Sequence, residues 1–95
     1  MKIIWSKKSE KQLDQIYDYI AQDSPFYANS TILEIINRAE KVVTQPLQGR
    51  IVPEYKKDSI REVFVHPYRI MYEVREEVLF VLTVVHEARM PPKKL

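Results

Sequence analysis

Leu13, Ile16, Tyr17 and Ile20 recur at i, i+3, i+4 and i+7, with mostly polar residues between them. That spacing lays one apolar stripe along an α-helix. The helix is predicted from about Lys7 to Ala21, with Ser6 placed to cap its first turn. A second stripe follows in Ile32, Ile35, Ile36, Ala39, Val42 and Val43. Ser24 can cap this helix, and Pro25 suits a first helical position, where no N–H is needed. It is expected to end before Pro46. So short a turn between two helices makes them antiparallel, and each then has one apolar face to cover.

The remaining pattern is that of strands. Lys2–Trp5 is rich in β-formers. Pro46–Ser59 reads as a loop that holds the only glycine, Gly49, together with Pro46 and Pro53. Loops of this length are often functional. Ile60–Val65 is the next strand. In Tyr68–Val74 the residues Tyr68, Ile70, Tyr72 and Val74 face one way and Arg69, Met71 and Glu73 the other. Arg75-Glu76-Glu77 is a polar turn, and Val78–Val85 reads as a central strand buried on both faces. Pro91 and Pro92 end regular structure, leaving a short tail. The order βααβββ predicts an α+β fold of two layers: an antiparallel sheet with a helical hairpin packed on one face, as one domain over residues 1–95.

Composition narrows the chemistry. The absence of cysteine excludes disulfides, zinc–cysteine sites and a thiol nucleophile. The opening Met1–Ser6 is too quickly polar for a signal peptide, and no apolar run reaches bilayer length, which points to the cytoplasm and away from membranes. Net charge is only +2. Residues 1–48 balance six basic against six acidic side chains, whereas residues 49–95 carry nine against seven. An acidic partner would therefore meet the C-terminal half. One glycine cannot build a phosphate loop, and His66 and His86 sit in no metal-binding cluster, so neither a cofactor nor a metal is expected.

The polar residues that strands can gather are Arg61, Arg69, His86 and Arg89, with Glu54 on the long loop. Two arginines near a histidine can hold a phosphate, and the histidine can move a proton near neutral pH. The same arginines can instead pair with Glu62, Glu73 or Glu87 across strands. His66, before Pro67, reads as a turn residue.

These elements carry a recognisable text. Leu13–Ile20 followed by Ser24-Pro25 resembles the first helix of ParE-like toxins and its break. Gly49-Arg50-Ile51-Val52-Pro53-Glu54 resembles their "GR.vPE" loop, Ile60-Arg61-Glu62 their "iRE" strand start, Tyr68–Val74 their "YRi.Y.v" strand, and Val84–Arg89 their closing "v.H..R". The chain is thus similar to the RelE/ParE superfamily over nearly its whole length, and to its ParE branch in particular. The resemblance implies a cytoplasmic growth-inhibiting toxin of a toxin–antitoxin, plasmid-stabilising kind, neutralised by an antitoxin encoded beside it. ParE-like members poison DNA gyrase without enzymatic chemistry. On that reading Arg61, Arg69, His86, Arg89 and the Gly49–Glu54 loop meet the target. Arg69→Ala is then expected to relieve toxicity with the fold intact. The alternative is a metal-independent, ribosome-dependent mRNA endoribonuclease of the RelE/YoeB type. There Glu54 is the general base, Arg69 the phosphate clamp and His86 the acid. The lysine of the RelE strand is absent from Ile60–Val63, and no late tyrosine follows Pro92.

Overall fold

A computed structural model describes residues 1–95. The elements are β1 (Lys2–Trp5), α1 (Lys7–Ala21), α2 (Pro25–Val42), β2 (Arg50–Ile51), β3 (Ile60–Val65), β4 (Tyr68–Arg75) and β5 (Val78–His86). Both helices start where the caps predict. The Ser6 side chain accepts from the Ser9 N–H at 3.0 Å and the Ser24 side chain from the Tyr27 N–H at 3.1 Å, while Pro25 opens α2. Each cap satisfies a donor that the helix itself leaves free.

The strands form one sheet in the order β1-β5-β4-β3-β2. β3, β4 and β5 make the expected antiparallel meander, and β1 adds to β5 in parallel, so the sheet as a whole is mixed. The long loop also contributes a strand. Arg50 and Ile51 pair with Glu62 and Arg61, a ladder too short to leave a periodic signal in sequence. β5 lies between β1 and β4 as a central strand should, but its helix-facing side is closed more fully than the other. Leu79 and Val81 are fully buried, whereas Phe80 and Leu82 are partly open.

α1 packs over β5 and α2 over β3, both on the same face. Ile35, Ala39 and Val42 from α2 meet Val63, Tyr68, Ile70, Tyr72, Leu79, Val81 and Val84 from the sheet. Each fully buried aliphatic chain contributes about 1.5–3 kcal/mol. A smaller cluster of Val52, Ile60 and Met71 lies on the opposite face, with Tyr55, Leu82 and Val85 against it. The Tyr55 hydroxyl donates to Pro92 O, which ties the C-terminal segment across this face.

β1 is too short to cover the full edge of β5, and α1 completes the job. The Ser6 N–H donates to Val81 O at 3.0 Å and its hydroxyl to Leu82 O at 3.0 Å. Beyond that point the Gln12 amide takes over: its Oε1 accepts from the Val84 N–H at 2.8 Å and its Nε2 donates to Thr83 Oγ1 at 2.8 Å. Edge groups that would otherwise face apolar surroundings are thereby satisfied.

Candidate functional site

The face of the sheet away from the helices is organised around one carboxylate. Alternation puts Ile60, Glu62 and Phe64 of β3 on this side, together with Arg69, Met71 and Glu73 of β4. The Glu62 side chain is fully buried. A buried carboxylate is costly unless paired. Here Arg69 Nε donates to Oε1 at 2.6 Å, Arg69 Nη2 donates to Oε2 at 3.1 Å, and Arg50 Nε donates to Oε2 at 2.6 Å.

Arg69 is itself buried and turns its outer edge to the loop. Nη1 and Nη2 donate to the two oxygens of Glu54 at 2.9 and 2.7 Å, a bidentate pair. Those hydrogen bonds pull the Glu54 carboxyl from 4.5 to about 2, and the two glutamates push the Arg69 guanidinium further up. Glu54 and Glu62 between them take four of the five N–H donors of Arg69, and with them both of the two-nitrogen edges open to a bidentate grip on phosphate. The loop Gly49–Glu54 is therefore fastened to the sheet by charge at its far end.

Its near end is fastened by Tyr72 on the helix side. The Gly49 N–H donates to Tyr72 Oη at 3.1 Å, and that hydroxyl donates to Pro46 O at 2.6 Å. Arg61, opposite Tyr72 in the ladder, donates from Nη1 to Gly49 O at 2.9 Å.

His86 stands elsewhere. It is the cross-strand partner of Tyr68, and the two rings meet edge to face at 5.8 Å. Tyr68 precedes Arg69 and belongs to the helix-side core, so His86 and Arg69 project to opposite faces. His86 Nδ1 accepts from the Ala88 N–H at 3.0 Å, and the Arg89 N–H donates to His86 O at 2.9 Å. His86 and Arg89 border a groove of about 970 Å³ under the far half of the helical hairpin, where Tyr19 and Tyr27 overhang Tyr68. Burial first, then the neighbouring Tyr19 and Tyr27, raises the Tyr68 phenol.

Of the residues singled out from sequence, Glu54 and Arg69 are in contact and His86 and Arg89 share the groove. Arg61 stands apart on the helix side beside Gly49. Glu62 entered the sequence reading as a pairing option and as the last letter of the "iRE" motif, with no site role, yet it is the hub of the face away from the helices. The signal was there: it shares the inward alternation of Ile60, and a charge at such a position demands a buried partner. Nothing in the pattern marked Arg50 beyond its place in the loop motif.

The architecture defines a class: a small α+β domain with a helical hairpin on one face of a mixed sheet. A family model described as the ParE toxin of the type II toxin–antitoxin system parDE matches residues 3–91. The chain belongs to this family. It is 30% identical over 89 residues to Toxin RelE2 of Caulobacter vibrioides, covering 93% of this chain and 97% of that protein. The solved chromosomal ParDE system from P. aeruginosa contains a similar chain with a TM-score of 0.76 at 21% identity, covering 90% of this chain and 95% of that one, which supports the fold. The protein is thus the toxin of a type II toxin–antitoxin system, and a cognate antitoxin is its partner. No helix is long and apolar enough to cross a membrane.

Proposed function

We propose that this toxin acts in the cytoplasm by binding its target rather than by cutting RNA, and that the target is DNA gyrase. The carrying observation is the state of Glu54. It is the residue that a ribonuclease of the YoeB type would use as general base. Yet Arg69 grips both its oxygens and holds it at about 2. A base that weak is poorly matched to removing a proton from a 2′-hydroxyl near neutral pH. The remaining members of that mechanism do not converge either, since His86 lies across the sheet from Arg69. A loop fastened to the sheet by charge pairs suits recognition, where geometry fixed in advance reduces the entropy lost on binding. The ParE family match supports gyrase as the protein recognised.

The test runs two assays in parallel on the purified toxin: DNA supercoiling and cleavage by gyrase, and mRNA cleavage on translating ribosomes. The expected result is inhibited supercoiling with trapped cleaved DNA and intact messages. Pulse-labelling after induction should show DNA synthesis stopping before translation. Messages cut on the ribosome with gyrase unaffected would overturn the proposal and make Glu54, Arg69 and His86 the residues to mutate.

A further inference from the structure

Charge is unevenly distributed over the folded chain. Residues 1–13 and 91–95 carry six lysines, Lys2, Lys7, Lys8, Lys11, Lys93 and Lys94, against one acid, Glu10, a net of +5. Residues 14–90 carry nine basic side chains against twelve acidic ones, a net of −3. The fold brings the two short lysine-bearing segments together. The Lys8 ammonium donates to Lys94 O at 3.2 Å, so Lys93 and Lys94 lie beside the first turn of α1. The segment is led there by its anchor on the sheet, where Pro91 is buried and Pro92 O accepts from the Tyr55 hydroxyl.

All six lysines are exposed and none joins an ion pair, since every ion pair of the chain uses arginine or histidine. Their placement is unfavourable for the helix itself. Lys7 and Lys8 are the first two residues of α1, where the helix dipole is positive, and the last turn, where a cation would help, has none. Lys7 and Lys11 stand one turn apart on the same side and repel each other. Glu10 offsets one of these charges, and Asp14 and Asp18, one and two turns beyond Lys11, bound the patch. Nothing inside the chain balances the rest, so the group that does comes from outside it.

The side-chain type narrows the anion. Every cation of the patch is a lysine, and all six arginines lie in residues 14–90. A guanidinium reads geometry with a planar fork, whereas an ammonium on a flexible stem is a point charge with no preferred plane. Flexible point charges suit a row of phosphates gripped without regard to base sequence, where affinity comes from released counterions.

We propose that this patch docks on the backbone of duplex DNA, with Lys7, Lys8, Lys11, Lys93 and Lys94 each beside a phosphate. The choice of duplex DNA among polyanions rests on the reading of gyrase as the target, because gyrase holds a duplex while it works. The toxin then grips the enzyme and its DNA together.

The test follows, by fluorescence anisotropy, binding of a labelled random duplex of about 20 base pairs to the purified toxin at about 50 to 200 mM salt. Five phosphate contacts predict a slope of about −4.5 for log affinity against log salt, roughly a 500-fold loss over that range. Lys7→Gln, Lys8→Gln, Lys11→Gln together are expected to reduce the slope to about −1.8, and Lys93→Gln with Lys94→Gln to about −2.7. The triple variant should melt no lower than wild type, because it relieves the start of α1, which separates lost binding from lost folding. Gyrase poisoning is measured alongside, and the variant with all five lysines replaced is expected to need at least tenfold more toxin. Absence of duplex binding at about 50 mM salt overturns the proposal. So do slopes that the substitutions leave unchanged, full gyrase poisoning by the five-lysine variant, or preferential binding of single-stranded RNA, which would assign the patch to a ribosomal target. Duplex binding with the expected slopes, from a wild-type toxin that leaves gyrase unaffected, would keep the DNA-docking patch and remove gyrase as the target.

Discussion

Gly49→Ala tests whether the loop is fastened as the structure indicates. The backbone of Gly49 needs no left-handed conformation, so the reason for glycine is space. An added Cβ would sit 2.8 Å from Glu62 O and 2.9 Å from Tyr72 Cε1, and would also run into the Tyr72 hydroxyl. The first obstacle is β3 backbone. The others belong to a side chain only 2% exposed and locked by two hydrogen bonds. Overpacking of this sort costs about 1–3 kcal/mol. Shifting the ring also breaks the bonds to Gly49 and Pro46, at about 1 kcal/mol each. The expected loss is about 3 kcal/mol, which for a chain of this length lowers the melting temperature by roughly 12–24 °C. Thermal and urea denaturation followed by circular dichroism measure it. Tyr72→Phe in the Gly49→Ala background removes the hydroxyl, so the two effects should fall short of their sum. A Gly49→Ala protein within 0.5 kcal/mol of wild type would refute the packing argument.

Three further outcomes follow from the charge pairs and one turn. Arg69→Ala leaves the fully buried Glu62 without its main partner and should cost about 3–5 kcal/mol, so the expectation that this substitution spares the fold is corrected; equilibrium unfolding should show a chain at the edge of folding, and a near-wild-type midpoint would contradict the buried pair. Glu54 has a folded value of about 2 against an ordinary 4.5, so its contribution is complete above about pH 4.5 and is lost as the pH falls toward 2. Glu54→Gln should therefore lower stability at neutral pH and flatten its fall between pH 5 and 2.5 in urea melts, and an unchanged slope would remove Glu54 from the account. Glu76 and Glu77 sit at φ 48° and 62° in the β4–β5 turn, which asparagine and glycine prefer. The double change Glu76→Asn, Glu77→Gly should raise stability by about 1 kcal/mol, seen as a melting point roughly 4–8 °C higher.

The elements were legible in the chain because each advertises itself locally. The stripe Leu13, Ile16, Ile20 requires a helix, Ser24-Pro25 requires a fresh start, and the alternation from Tyr68 to Val74 requires a strand with two unlike faces. The helical layer and the meander follow from those patterns and from short connections. The parallel addition of β1, the two-residue β2 and the Gln12 amide closing the edge of β5 were not legible. They depend on partners 71 or more residues away in the case of Gln12, and on backbone groups that carry no side-chain signature. The motif residues were visible too, but their grouping was not. Sequence placed Arg69 one residue from Tyr68 and left Glu54, Arg69 and His86 free to be imagined as one site. The pleat of the sheet sends neighbours to opposite faces, and that alone parts His86 from Arg69. Burial of Glu62 then decides what Arg69 does, because a carboxylate taken out of water claims the nearest guanidinium, and that claim exists only in the folded chain.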